Sequence, residues 1–253
     1  MADGDAPAAG AAVPVKSDLP VRVASAIVML VIAGVAIWRG GAVLQGFVAV
    51  VGLGIFAEYV GLAAKIAPDP ARMAAAVITG AVYVSWATLA LGLMPVPLLI
   101  GVVGLVVCTD VGAYFAGRAI GGPKIAPAIS PSKTWAGLAG GMAAAAFWTT
   151  AFALFVSYAV SAMSPTGPGL DDAFSNTRIG LAALTGAGLA IAAQAGDFYE
   201  SWLKRRAGVK DSSRIIPGHG GLFDRFDGLL PVAIIVGTTW AVTEWAASGG
   251  TRS

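Results

Sequence analysis

The sequence is poor in charge and almost without soft metal ligands. Asp, Glu, Lys and Arg together make up only 12% of its 253 residues, where an ordinary soluble domain carries about 25%. It has one cysteine, Cys108, and one histidine, His219. A single cysteine excludes a disulfide framework and a thiolate metal cluster. Cys108 lies in an apolar run and reads as a small core hydrophobe. A single histidine excludes a metal site built from histidines, and on its own His219 reads more readily as a hydrogen-bonding group than as a base. The net charge of +2 says little about partners, and no nucleic-acid partner is expected. The first 20 residues lack the basic start and compact apolar core of a signal peptide. Rich in Ala, Pro, Gly and Asp, they read as a disordered tail.

What fills the chain is apolar: 57% of the residues are hydrophobic and the mean hydropathy is +0.79. One soluble domain cannot bury that much, so the expected solvent is a bilayer. Seven apolar runs follow one another, at about 23–38, 42–64, 73–93, 96–117, 136–160, 179–197 and 229–247. Each is near the roughly 20 residues needed to cross a hydrocarbon core. In lipid such runs must be helices, which satisfy their own backbone groups. The expected fold is all-α: a polytopic membrane protein with about seven transmembrane helices and cytoplasmic polar loops.

Charge orients the spans. Lys65, Arg72, Arg118, Lys124, Lys133, Lys204, Arg205, Arg206, Lys210, Arg214 and Arg225 fall in the segments 65–72, 118–134 and 198–228, which seven crossings put on one side. The opposite loops hold Arg39, Arg178, Asp171 and Asp172. The excess of Lys and Arg marks the cytoplasmic side, so the N-terminus faces the cytoplasm and the C-terminus lies outside.

Ionisable groups at membrane depth are costly and draw attention. Glu58, beside Tyr59 near the end of the second run, reads as an interfacial residue. Asp110, in the fourth run, shares a helical face with Tyr114 and Arg118. Asp197 closes the sixth run. Asp224 and Asp227 stand three apart, on one face if that stretch is helical. Between Ser201 and Asp227 the chain reads SWLKRRAGVKDSSRIIPGHGGLFDRFD. Lys and Arg suit phosphate oxygens, and glycines let backbone amides approach an anion. Carboxylates do not bind phosphate, so their presence beside the basic cluster calls for a bridging cation, and hard oxygen ligands favour Mg²⁺. Such a set describes a phosphoryl- or nucleotidyl-transfer site. Charge alone leaves the segment equally readable as a topology signal or a contact to anionic lipids.

Ser201, Lys204, Arg205, Lys210, Asp211, Pro217, His219, Gly220, Gly221, Asp224, Arg225 and Asp227 resemble, without a gap, the signature of the phosphatidate cytidylyltransferase (CDP-diacylglycerol synthase) family. The stretch Thr109–Gly137, with its Ser-Pro-Ser-Lys-Thr-Trp motif at 130–135, and the Gly196-Asp197 approach resemble it too. The resemblance covers about the C-terminal 60% of the chain. It implies a transferase of phospholipid biosynthesis that makes CDP-diacylglycerol and pyrophosphate from CTP and phosphatidic acid. It also implies Mg²⁺, with a second cation left open, membrane lipids as surroundings, the bacterial inner membrane with the site facing the cytoplasm, and a homodimer.

On that basis Asp197 and Asp224 are the first expected metal ligands, followed by Asp227 and Asp110. Lys204, Arg205, Lys210, His219 and Arg225 are the expected catalytic residues. Ser132, Lys133, Thr134, Ser201, Arg214, Gly220 and Gly221 are the expected substrate-binding set. The domain reading is a cytoplasmic tail over 1–20, one transmembrane catalytic domain over 21–247 and a short tail over 248–253. A related lipid or isoprenoid cytidylyltransferase or kinase is the alternative enzyme. A CDP-alcohol phosphatidyltransferase needs acidic residues after Asp227-Gly228 that Leu229–Trp240 lacks. A membrane transporter is the alternative of another class, though transporters set polar residues at the midplane of two related halves, and no half-repeat is visible here.

Overall fold

The structure is a computed structural model that describes residues 19–163 and 176–249. Among the described residues, eight helices and one two-stranded hairpin follow in the order α1 (Leu19–Arg39), α2 (Gly41–Ile66), α3 (Pro70–Leu93), α4 (Val96–Ala119), β1 (Lys124–Ala126), β2 (Ser130–Thr134), α5 (Trp135–Met163), α6 (Asn176–Arg206), α7 (Phe223–Phe226) and α8 (Leu229–Ala247). All but α7 are long and apolar enough to cross a membrane, the seven expected from the apolar runs. The tail over 1–18 and the loop holding Asp171 and Asp172 lie outside the described residues.

Two segments differ from the sequence reading. The polar stretch 118–134 is not all loop: Lys124 pairs with Thr134 and Ala126 with Ser130 in an antiparallel hairpin. The sixth apolar run ends at Asp197, yet the helix continues to Arg206. Good helix formers continue it, and Lys204, Arg205 and Arg206 complement the negative end of the helix dipole. Ser201, Lys204 and Arg205 therefore ride on a helix that leaves the bilayer, not on a loop.

Turns are made by local chemistry. Gly40, at φ 60°, reverses the chain between α1 and α2, a backbone that residues with a Cβ resist. Asp69 caps α3 by accepting from the Arg72 amide at 2.9 Å, and Pro70 fills the first turn. Helices in lipid associate through close packing of small residues. The α4–α5 pair is the clearest case: a Cβ on Gly140 would collide with Ala116, and one on Gly141 would lie 2.9 Å from the Thr109 carbonyl. This close fit carries Asp110 on α4 past Lys133, just before α5.

Buried side chains form two groups. One joins α4, α6 and α8 through Leu99, Val102, Leu105, Ala190, Ala193 and Val232. The other joins α2, α3 and α6 to the segment after α6: Ile55, Tyr59, Leu62, Val84 and Leu203 surround Phe223 and Leu230. Phe223 is wholly buried. The polar segment thus folds back into the bundle, held by an aromatic whose burial from water is worth about 2–3 kcal/mol.

Candidate active site

The segment between α6 and α8 is organised by its own turn. The Ile216 amide donates to the Gly220 carbonyl at 2.9 Å, and His219 N to Ile216 O at 3.0 Å. Gly218 and Gly220 take φ of 75° and 85°, which explains the glycines on either side of His219. The turn leans on the start of α1, where Ser25 Oγ donates to Pro217 O at 3.0 Å and lies 2.8 Å from His219 Nδ1. Arg225 donates to the His219 carbonyl from Nε and Nη2 at 3.0 and 2.7 Å.

Beneath that turn lies a buried polar network. Lys204 Nζ stands 2.5 Å from Glu200 Oε2 and 2.6 Å from Asp224 Oδ1. The other oxygen of Asp224 accepts from Ser212 N at 2.9 Å, Ser212 Oγ at 2.8 Å and Gly221 N at 2.8 Å. Burial alone would raise the Asp224 carboxyl. Hydrogen bonds with Glu200, Lys204, Gly221 and Ser212 outweigh it and hold the group well below the usual carboxylate range. Ser212 Oγ also reaches Glu58 Oε2 at 2.8 Å. Glu58 accepts further from Ser213 Oγ at 2.6 Å, Leu222 N at 2.9 Å and Phe223 N at 2.7 Å.

Asp227 points elsewhere. Its backbone carbonyl sits against Gly196, and its carboxyl lies within electrostatic reach of Asp197, Asp110 and Lys133. Lys133 Nζ is 2.5 Å from Asp197 Oδ2 and donates to Gln194 Oε1 at 2.6 Å. Ser201 Oγ donates to Asp197 Oδ1 at 3.3 Å. Burial, then the negative charge of Asp197, pushes the Asp227 carboxyl up to about 7; Asp110 adds to this, while the Gly228 amide and Lys133 oppose it. The cleft beside these groups has a volume of about 430 Å³, and Asp110, Tyr114, Arg118, Ser132, Lys133 and Asp197 are among its walls. Asp110 and Asp197 face Lys133 and Arg118 across it, with Asp227 adding a third carboxyl behind them. Among the described residues no three His, Cys, Asp or Glu side chains enclose a cation unaided.

A glycine sets the approach of Asp227 to Asp197. A Cβ on Gly196 would collide with the Asp227 carbonyl oxygen and press on Pro231, so α6 and the start of α8 meet only because position 196 has no side chain. Gly196→Ala is expected to lower turnover about 10²-fold, the usual cost of an ångström-scale misplacement, with the protein still inserted. Initial rates of the purified variant check this, and a rate within threefold of the parent would show that the approach is not critical.

A basic pocket of about 410 Å³ opens elsewhere on the same segment, lined by Lys65, Lys210, Asp211, Ser212, Ser213 and Arg214. Ser212 links this pocket to the buried network through Asp224 and Lys204.

The sequence model described as the cytidylyltransferase family matches residues 72–242, which include the cleft, the network and the basic pocket apart from Glu58 and Lys65. The chain belongs to the cytidylyltransferase family. Among its relatives, the phosphatidate cytidylyltransferase of Brucella suis biovar 1 (strain 1330) is 48% identical over 128 residues, 51% of this chain and 41% of that protein. Those of Pseudomonas aeruginosa and Staphylococcus haemolyticus are 41% identical over 154 residues and 40% over 122. The matches cover 60% and 48% of this chain, and 49% and 40% of theirs. The chain thus spans at most about half the length of these relatives.

Within this member of the family the expected residues divide into three sets. Asp110, Ser132, Lys133, Thr134 and Asp197 line the cleft, with Ser201 and Asp227 against them. Lys210 and Arg214 line the basic pocket. Lys204, Arg205, His219, Gly220, Gly221, Asp224 and Arg225 are engaged with the protein itself; Arg205, for example, donates to the Ile129 carbonyl at 3.3 Å. Both Asp224 oxygens are taken by Lys204, Ser212 and Gly221, while Asp197 is held by Lys133 and Ser201. Asp224 enters the buried network, while Asp227 accepts from the Gly228 amide and lies within electrostatic reach of Asp197 and Asp110. Glu58, read as interfacial, is buried at 5% exposure. Gln194 has no local signal, Lys65 reads only as part of the cytoplasmic charge, and Glu200 stands with Ser201 in the approach to the signature segment. Glu200 alone had a local signal, its spacing of four from Lys204 on a helix.

Proposed function

We propose that this protein transfers the cytidylyl group of CTP to phosphatidic acid, giving CDP-diacylglycerol and pyrophosphate. The observation that carries the reading is the cleft walled by Asp110, Asp197, Lys133 and Arg118, with Asp227 within electrostatic reach of both aspartates, at the end of the bundle where Lys and Arg gather. It gains support from membership of the cytidylyltransferase family and from the names of the relatives.

The phosphate monoester of phosphatidate is anionic near neutral pH and needs no strong base. One of its oxygens attacks the α-phosphorus of CTP. A new P–O bond forms, the bond to the bridging α–β oxygen breaks, and pyrophosphate leaves with that oxygen. Both reactants are anions, so the protein must above all neutralise charge and align the two. The donor set suits Mg²⁺, which takes oxygen ligands, keeps several waters and is held by one or two carboxylates plus substrate phosphates. Asp197 and Asp227 would hold it, with Asp110 beside them. When bound, it would neutralise phosphate oxygens and withdraw charge from the leaving group. Lys133 holds Asp197 in place until substrate arrives and is then free to turn to a phosphate oxygen. Lys210 and Arg214, with Lys65, attract and orient phosphate groups. The acyl chains stay in the leaflet, with the site at headgroup depth, facing the cytoplasm of a bacterial inner membrane. A homodimer is part of the same proposal.

Purified protein incubated with Mg²⁺, phosphatidic acid and CTP labelled at the α-phosphate should yield labelled, solvent-extractable CDP-lipid. CTP labelled at the γ-phosphate should leave the label in water-soluble pyrophosphate. Label from the γ-phosphate in the lipid would mean a kinase, and no lipid label from either would overturn the reading. Turnover of phosphatidate suppressed by an isoprenoid phosphate taken up in its place would shift the substrate class.

A further inference from the structure

We propose that Glu58 is a positioning residue, which from inside the second membrane helix fixes the 211–228 segment and so sets Asp227 beside Asp197, next to the acidic cleft. The inference rests on reading that cleft as the reaction site.

Glu58 lies eight residues before the end of α2, about 12 Å along the axis from that end. An ionised carboxylate there is costly unless it is compensated. Among the described residues it has no ion-pair partner. Its compensation comes from a segment more than 150 positions later: Ser213 Oγ and Leu222 N on Oε1, Phe223 N on Oε2, and the Ser212 hydroxyl, whose single proton is shared between Glu58 Oε2 and Asp224 Oδ2. An ionised carboxylate only accepts, through two oxygens with about four lone-pair sites.

The placement of those donors gives the group its role. The amides of Leu222 and Phe223 begin α7, so the carboxylate fixes the direction of that turn, and Asp227 is the residue that follows it. Ser212 bridges Glu58 to Asp224, and Asp224 is held by Lys204. The position of Asp227 is therefore set from two helices, α2 through Glu58 and α6 through Lys204. Space is tight as well: a Cβ on Gly221 would collide with Ser212 Oγ and Glu58 Oε2, so the segment is drawn directly onto the carboxylate. An apolar side chain of the same size could fill the volume but could not satisfy two hydroxyls and two amides.

The test compares Glu58→Gln and Glu58→Asp with the parent, using the full chain purified in detergent. Gln keeps the shape but offers one acceptor oxygen, and its NH₂ faces two donors. Glu58→Gln should lower kcat with CTP and phosphatidic acid about 10²-fold, as misplacement does, with KM for CTP within about threefold. Glu58→Asp, which keeps the carboxylate, should recover about tenfold of that loss. Amide hydrogen exchange is read in parallel and does not depend on turnover. In Glu58→Gln the amides of 212–224 should exchange about tenfold faster or more, while those of α4 and α5 stay as in the parent. Unchanged exchange over 212–224, exchange raised throughout the bundle, or a risen KM with kcat intact would each overturn the proposal. If the parent itself transfers nothing from CTP, the substrate reading fails, and the exchange pattern still decides whether Glu58 holds the segment.

Discussion

Asp227→Asn and Asp197→Asn are each expected to reduce cytidylyl transfer about 10³-fold or more, the scale of losing a charge that organises a transition state. Asn matches Asp in shape, and an amide oxygen at position 227 can still accept from the Gly228 amide, now at 2.7 Å. What goes is one of three negative charges, Asp110, Asp197 and Asp227, that act on one another beside a cleft also walled by Lys133 and Arg118. Thermal stability should hold or rise, because like charges are relieved. The measurement is the initial rate with labelled CTP beside the thermal midpoint of the same preparation. Lys124→Ala on the exposed strand β1 is the comparator and should cost less than about threefold, as surface changes away from a site do. An Asp227→Asn rate within fivefold of the parent would remove Asp227 from the site. Asp224→Asn separates the two kinds of carboxylate: it should lose rate and stability together, since Asp224 anchors the segment.

Lys204→Met should be the most destabilising single change. Lys204 is the ammonium between Glu200 and Asp224, whose side chains are 1% and 6% exposed. Removing one partner of a buried ion set leaves uncompensated charge, at a cost of about 3–5 kcal/mol. For a chain of this size that corresponds to a fall of about 10 °C in the thermal midpoint. The triple change Glu200→Gln, Lys204→Met, Asp224→Asn should regain much of the stability without regaining activity, because the segment would no longer be tied to α6. A midpoint within about 2 °C of the parent for Lys204→Met would contradict the network. Acid acts through the same groups. The Asp224 carboxyl is held below its ordinary value, so its stabilisation is complete above the usual carboxylate range and is lost as pH falls below it.

The two variants separate what the polar segment does from what it holds. Lys204, Asp224, Glu58 and Ser212 make a rigid block inside the bundle end. Asp227, the last residue of the signature segment, is delivered by that block to Asp197, where Gly196 leaves room. This explains why basic and acidic residues alternate over so short a stretch. Some of the charges face a cleft and others neutralise one another out of sight.

Hydropathy alone determined the seven spans, because a membrane helix must satisfy its backbone within one continuous stretch and each stretch is visible by itself. It also showed which segments gather at one end, since charge avoids hydrocarbon; the family came from the resemblance of the Ser201–Asp227 segment. Helix ends were less legible: the sixth span reads as ending at Asp197 because apolar residues end there, whereas backbone bonding runs on to Arg206. Which carboxylate does what was decided only by the tertiary structure. Asp224 and Asp227 are equivalent by spacing, and they part because one turn of α7 directs one to Lys204 and Ser212, the other to Asp197. Glu58 carries no local sign of its role, since its four donors come from a segment over 150 positions away. A buried carboxylate takes its meaning from the groups that satisfy it, and packing alone brings those groups together.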